Sequence, residues 1–332
     1  LRVLLNARKR LERVRTSHPE AGGLVIARDI AHARGITGLL EEEGDRVHLV
    51  HSQDPEAAAR RFATDIAIDW RTGDALDADA VRKAAMGASL IFHGVNPPGY
   101  ARWREDGLPM LGHTIAAARV SGARILFPGN VYVFGTDAGS MVDETAPRHP
   151  ATRKGAVRLE MEEMLEAAAR DGVRSLVLRA GDFFGPGVEG SWFTKAVAKG
   201  GAKASQLYDL TRVGHSWAFV PDLAETFAEL AVREEELPPF VGFHFAGHWI
   251  ETGRELAEAT RTAIGKPSLP IRRFPWILLY LGAPFVTFMR EALEMMWLWR
   301  RPLRLDDRKL RSALGRVPHT PLDEALRRAV AA

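Results

Sequence analysis

Cysteine is absent from this chain of 332 residues. Without a thiol the chain can form no disulfide, no thiolate metal site and no cysteine nucleophile. The absence fits a reducing compartment, so we expect a cytoplasmic protein. No metal site is predicted from the sequence.

Long apolar runs are also missing. The longest, from Pro275 to Met289, is broken by Gly282 and Pro284 and has about 15 residues, whereas a membrane-spanning helix needs about 20. We therefore expect no membrane span. The run predicts a pair of helices packed in the core, and contact with a membrane surface is the alternative.

Charge of one sign is not concentrated either. The formal net charge is +3 and the sequence pI is about 9.3, which reflects a slight excess of arginine. A dispersed excess gives no basic face for nucleic acid, so no nucleic-acid partner is expected. Hydrophobic residues make up 46% and charged residues 26%, as in a globular protein with a buried core.

The chain contains apolar strand-like runs that alternate with amphipathic helices. Helices are predicted at 36–43, 110–120 and 156–170. Strands are predicted in the segments GGLVIA, RVHLVH, SLIFHGV, RILFPGNVYVFG, SLVLRAGDFFG and VGFHFAG. This alternation is typical of βαβ units, and it predicts an α/β fold with a Rossmann-like, doubly wound parallel sheet. From about Gly190 the alternation weakens, which indicates a smaller C-terminal α/β lobe.

Four segments in a fixed order carry a resemblance. They begin with DWRTGDALDADAVRKAAMGASLIFHGVNPP at Asp69 and continue with LVLRAGDFFGPG, HSWAFVPDLAETFAEL and GRVPHTPLDEALRRAV. Over residues 69–331 the chain resembles the NAD-dependent epimerase/dehydratase family, the extended short-chain dehydrogenases. The resemblance implies NAD or NADP as cofactor, a small-molecule substrate and a homodimer. It also implies that Asp74 meets the adenine and that the stretch from His93 to Asn96 lines the cofactor cleft.

The catalytic residues of that family are replaced here. Asn130 stands where the family has Ser or Thr, Lys154 where it has the catalytic Tyr, and Arg158 where it has the Lys that holds the ribose. By resemblance these three are the candidate catalytic residues, and Arg158 is also a candidate for the ribose. An amide can still donate to a developing oxyanion. The alternative is a solvated helix face on which Arg158 pairs with Glu162.

The candidate substrate residues also depart from the family. Asp182 replaces an Asn that helps to hold a sugar nucleotide, and its carboxylate would repel a diphosphate unless it is protonated or paired. Tyr132, Phe183 and Trp192 fall near the expected mouth of the cleft. They favour an apolar or aromatic carbonyl substrate, and core packing is the alternative.

The first 68 residues lack the glycine-rich loop that a dinucleotide fold uses to approach the pyrophosphate. Ala27, Ile30 and Ala33 stand where the glycines would fall. This segment resembles part of a RecA-like lobe of a DEAD/DEAH-type helicase, without its motor motifs. We expect it to supply a βαβ unit in place of the first Rossmann unit. The expected division is 1–68, then 69–190 for the rest of the dinucleotide-binding domain, then 191–332 for the substrate lobe.

These observations predict an atypical NAD(P)-dependent oxidoreductase or epimerase that acts on a small carbonyl or hydroxyl substrate. A non-catalytic binding protein with a Rossmann fold is the first alternative, and an inactive chimera with a helicase fragment is the second. A nucleic-acid-binding remnant is the third, and the dispersed basic residues disfavour it.

Overall fold

A computed structural model describes residues Gly22–Ile26, 73–97, 102–188 and 190–331. The predicted helix at 36–43, the predicted strand RVHLVH and the positions expected for the glycine-rich loop lie outside these residues. Only the backbone of Gly22–Ile26 is described, and it forms strand β1.

A five-stranded parallel sheet forms the centre of the fold, in the order β1-β2-β3-β5-β9. Its strands after β1 are β2 (Ala88–His93), β3 (Arg124–Asn130), β5 (Ser175–Ala180) and β9 (Phe240–Phe245). The predicted GGLVIA, SLIFHGV and VGFHFAG strands are therefore confirmed. The predicted RILFPGNVYVFG strand ends at Asn130, after which Val131–Val133 form a 3-10 helix. The predicted SLVLRAGDFFG strand ends at Ala180, and Asp182–Phe184 pair in another sheet. β5 is buried at every position, as expected for a parallel strand covered on both faces.

Helices cover both faces of this sheet. One face packs on α1 (Ala78–Ala84), α2 (Leu108–Ser121) and α3 (Arg153–Arg170), and the other packs on α4 (Val220–Val232) and α8 (Arg308–Leu314). The helices predicted at 110–120 and 156–170 are thus confirmed, each with an earlier start. The doubly wound α/β architecture is confirmed as well.

A smaller set of elements follows along the chain. Its strands are β6 (Asp182–Phe184), β7 (Leu207–Asp209), β8 (His215–Phe219), β10 (His248–Ile250) and β11 (Ile271–Arg273), and its helices are α5 (Gly253–Ile264), α6 (Trp276–Gly282), α7 (Thr287–Glu294) and α9 (Leu322–Ala331). β10, β8 and β6 form one small sheet, β11 pairs with β7, and β12 (Arg304–Leu305) pairs with β4 (Met141–Val142). β9 returns to the central sheet, so the two parts of the chain are interleaved.

The apolar segment from Pro275 to Met289 contains α6 and the first turn of α7, but the prediction that it forms a pair of helices packed in the core is wrong. Only Leu279 of the α6 residues is buried. The exposed apolar side chains are Ile277, Leu278, Tyr280, Leu281, Phe285 and Val286. In the part of the chain that the structure describes, no helix is long and apolar enough to cross a membrane.

Candidate active site

The carboxyl ends of β2, β3 and β5 lie at one edge of the central sheet. His93 ends β2, Asn130 ends β3, and Asp182 follows two residues after Ala180 ends β5. Parallel strands present their carboxyl ends on the same side, and ligands of open α/β sheets bind in the crevice there. The fold therefore brings these three predicted residues to one edge.

Asn130 connects β3 to a short 3-10 helix, Val131–Val133. Its Oδ1 accepts a hydrogen bond from the Tyr132 N–H at 3.1 Å. This bond fixes the amide because it caps the first turn of the helix. The Nδ2 group has no hydrogen-bond partner among the described residues, so it remains available as a donor.

Helix α3 carries Lys154 in its first turn. Thr152 caps this helix, since its Oγ1 accepts a hydrogen bond from the Gly155 N–H at 2.9 Å. A Cβ at Gly155 would overlap the carbonyl oxygen of Tyr132. The glycine therefore lets the start of α3 lie directly against the 3-10 helix that follows β3.

The Lys154 side chain is 4% exposed and lies between two carboxylates of α7. Its Nζ donates to Glu291 and, at 2.9 Å, to Glu294. Glu294 also accepts a hydrogen bond from the Lys154 backbone N–H at 3.2 Å. Burial raises the pKa of the Glu294 carboxyl, but the hydrogen bonds and charge of Lys154 outweigh it and hold that pKa below its ordinary value. The Nζ group of Lys154 is thus held in place by two carboxylates of another helix.

Arg158 lies one turn further along α3 and is 7% exposed. Its guanidinium donates to the carbonyl oxygen of Pro128 and lies over the Phe127 ring, 4.5 Å from the centroid. Burial lowers the pKa of Arg158 to about 10, opposed by the nearby Glu162 and Tyr132. The side chain therefore keeps its positive charge at neutral pH, beside the end of β3.

The solvated-face alternative for this helix is wrong, because Lys154, Arg158 and Glu162 are all buried. Glu162 binds Arg179 of β5 at 2.7 Å and Arg148 at 3.0 Å. These ion pairs join the buried face of α3 to the central sheet.

His93 contributes a buried acceptor. In the arrangement in which Thr114 Oγ1 donates its proton to the Met110 carbonyl oxygen at 3.1 Å, the His93 Nδ1–H is the donor in the 2.8 Å bond between Nδ1 and that hydroxyl. Nε2 then carries a lone pair, and it has no hydrogen-bond partner within the described ranges. Burial, with a smaller effect of the Arg158 charge, lowers the pKa of His93 to about 3. The ring is therefore neutral at ordinary pH.

Asp182 is paired. Its Oδ2 lies 2.6 Å from Nε2 of His215, whose ring stacks on Trp299 with a centroid distance of 4.4 Å. His215 is 5% exposed. Asp182 was predicted from the sequence to need a partner, whereas His215, which comes from strand β8, was not predicted.

The predicted aromatic residues belong to separate clusters. Tyr132 stacks on Trp103 with the ring centroids 6.5 Å apart, and Phe183 packs against the core between the sheet and α4. Trp192 packs against Trp299 at 5.2 Å and borders a cavity of about 70 Å³ between the 190–196 segment and helices α6 and α7. The structure does not bring these residues into one aromatic pocket.

Asp74 and Asn96 lie at either end of the segment that includes α1 and β2. Asp74 is exposed, and its Oδ1 accepts a hydrogen bond from the Leu76 N–H at 2.9 Å. Asn96 is partly buried, three residues after the end of β2. Both positions remain candidates for contact with a cofactor.

Solved structures with a similar fold include epimerases and a dehydratase. The sequence itself matches no protein-family model and no curated protein. Similar structures include a UDP-galactose 4-epimerase at 17% identity (TM-score 0.63, covering 93% of this chain and 97% of that chain). A DesIV double mutant, a dTDP-glucose 4,6-dehydratase from Streptomyces venezuelae with NAD and DAU bound, has 16% identity (TM-score 0.65, coverage 93% and 95%). A UDP-glucose 4-epimerase from Thermotoga maritima with UDP-glucose has 15% identity (TM-score 0.65, coverage 94% and 97%).

These likenesses establish the fold of the chain. The Rossmann-like fold expected from the resemblance over residues 69–331 is thereby confirmed. The comparisons give no support to the helicase resemblance of the first 68 residues.

Proposed function

We propose that this protein is an atypical NAD(P)-dependent oxidoreductase or epimerase that acts on a small carbonyl or hydroxyl substrate. The observation that carries the proposal is the pair formed by His93 and Arg158 at the carboxyl edge of the sheet. His93 offers a buried lone pair on Nε2, and the Arg158 guanidinium lies near enough to influence its pKa. An acceptor beside a cation suits the hydroxyl groups of a ribose.

Several residues of the chain fit a dinucleotide at this edge. His93 would accept a hydrogen bond from a ribose hydroxyl, Arg158 would hold the same sugar, and Asp74 and Asn96 would border the adenine half. A bound nicotinamide dinucleotide supplies hydride transfer. NAD is bound in the DesIV structure of the same fold, which supports this choice of cofactor.

The chain's own chemistry would lie at Asn130 and Lys154. The Asn130 Nδ2 group can donate to a substrate oxygen on which negative charge develops. Lys154, whose Nζ is positioned by Glu291 and Glu294, would donate a hydrogen bond to that oxygen from the position where the family has a tyrosine.

The affinity for NADH and NADPH tests the cofactor part of the proposal. Arg158→Met should weaken binding at least about tenfold, the cost of losing about 1.4 kcal/mol of interaction. Arg153→Met is the matched control because Arg153 lies on the same helix with a side chain that is 78% exposed. Equal affinities of the two variants would overturn the role given to Arg158.

A non-catalytic binding protein of the same fold is the second candidate. The ion pairs that tie Lys154 to α7 favour it, since they give this side chain a structural role. Turnover of a panel of aldehydes and ketones with NADH or NADPH separates the two. Activity that disappears in Lys154→Ala, with cofactor affinity retained, supports the enzyme. Activity that survives in Lys154→Ala would overturn the catalytic role of Lys154.

A further inference from the structure

Two histidines and an aspartate meet away from the residues assigned to the reaction. Asp222 lies in the first turn of α4, His248 begins β10, and His319 lies in the loop that leads into α9. The atoms that could act as ligands all lie within 4.8 Å of one another. Three segments that are distant in sequence thus present ligand atoms to one point.

The carboxylate is held in place by the loop that carries His319. Asp222 is 4% exposed and accepts hydrogen bonds from the Thr320 N–H and the Thr320 hydroxyl, both at 2.6 Å. Pro318 and Pro321 flank His319 and Thr320 in the sequence and restrict the backbone on either side of them. An ionised carboxylate has about four lone-pair sites, so two hydrogen bonds leave it able to bind a cation.

His248 supplies the second observation. Its side chain is 6% exposed, and its Nε2 atom is buried with no hydrogen-bond partner in the part of the chain that is described. Buried polar atoms are rarely left without a partner. A metal ion bound at this nitrogen would give the atom the partner that it lacks.

The two imidazoles are close enough to bind the same metal ion. The His248 and His319 rings have centroids 4.6 Å apart and are inclined at 39°. In a tetrahedral site with ligand bonds of roughly 2.0–2.1 Å, the ligand atoms lie about 3.3 Å apart. The ligand atoms lie within 4.8 Å of one another, and rotation of the exposed His319 ring can adjust their separations.

We propose that Asp222, His248 and His319 bind a divalent transition metal ion of the zinc type. Two imidazole nitrogens and one carboxylate oxygen suit zinc, and they leave the fourth position of a tetrahedron to water or another ligand. Magnesium and calcium are disfavoured because they prefer sites built from oxygen. The ion would link the start of α4 to β10 and to the loop before α9, so it would fix the C-terminal helix to the small sheet. The proposal does not depend on the dinucleotide chemistry.

Calorimetric titration of the chelator-treated full chain with Zn²⁺ tests this inference, with Mg²⁺ as the comparison ion. We expect one Zn²⁺ per chain with a Kd of about a micromolar or lower, and no binding of Mg²⁺ at the same concentrations. The Co²⁺-loaded protein should show the visible absorption of tetrahedral cobalt. Absence of Zn²⁺ binding would overturn the proposal.

Two single variants show which histidines are responsible. His319→Ala changes an exposed residue, so the chain should fold, and it should lose at least about tenfold in Zn²⁺ affinity together with the Zn²⁺-dependent rise in Tm. His149→Ala is the matched control, because His149 is an exposed histidine whose Nδ1 lies 2.8 Å from Asp137 and could bind zinc adventitiously. Loss of binding in His149→Ala with full binding in His319→Ala would overturn the assignment.

Discussion

Replacement of Lys154 by methionine should destabilise the protein strongly. The Lys154 side chain is 4% exposed, and those of Glu291 and Glu294 are 13% exposed. Methionine fills a similar volume but removes the buried ammonium from between two carboxylates. Breaking a buried ion pair costs about 3–5 kcal/mol. We expect about 3 kcal/mol here, since both carboxylates keep some contact with water, Arg153 lies 3.5–3.7 Å from them and Arg290 lies 3.4 Å from Glu291.

A compensating variant separates the charge effect from packing. In Lys154→Met/Glu291→Gln/Glu294→Gln the two uncompensated charges are gone, so the free energy of unfolding should return to within about 1 kcal/mol of the wild type. Urea unfolding followed by circular dichroism measures both variants. A loss below about 1 kcal/mol in Lys154→Met, or no recovery in the triple variant, would refute the ion-pair interpretation.

Four further predictions concern the buried polar groups and the close approach of α3. His93→Asn can keep the hydrogen bond to the threonine hydroxyl but cannot bind a proton. Its loss of stability between pH 8 and pH 5 should therefore be about 2 kcal/mol smaller than in the wild type, because His93 titrates near 6.5 when unfolded and near 3 when folded. His244 also has a pKa lowered to about 3, by burial and by Arg179. His244→Gln should therefore reduce the loss of stability between pH 8 and pH 5 in the same way. Arg179→Met leaves Glu162 with one cation less and should cost about 3 kcal/mol in urea unfolding. Gly155→Ala should lower Tm, since the added methyl group overlaps backbone.

The sign of the pH effect follows from proton uptake. Below pH 6.5 the unfolded chain binds protons at these histidines while the folded chain does not, so stability falls as the pH falls toward 3. Identical pH profiles for the wild type and His93→Asn would contradict the buried neutral histidine. A Gly155→Ala protein as stable as a Gly112→Ala control, where the closest atom to the added methyl group is the terminal carbon of Met164 at 3.9 Å, would contradict the close approach.

The central sheet was predictable because its strands are apolar runs that end in glycine or polar residues, a local pattern of the sequence. Ala88–His93 and Ser175–Ala180 each occur where that pattern placed them. The partners of the site residues were not predictable in the same way. Lys154 meets Glu291 and Glu294, which are 137 and 140 residues away, and no local spacing indicates such a contact.

Two other features needed tertiary structure for the same reason. Asp182 and His215 meet because β6 and β8 are neighbours in a small sheet, with Asp182 opposite Trp217. The Pro275 to Met289 segment has the composition of core helices, yet much of it faces outward. This was not predictable, because composition gives no information on which surface covers a helix. The expected division of the chain at residues 68 and 190 stays a prediction.

The most direct test of the proposed function is calorimetric titration of the wild-type chain with NADH and with NADPH. We predict one binding site per chain for at least one of them, with a Kd below a millimolar. A chain that is folded by circular dichroism but shows no binding heat with either dinucleotide up to millimolar concentrations would contradict the account.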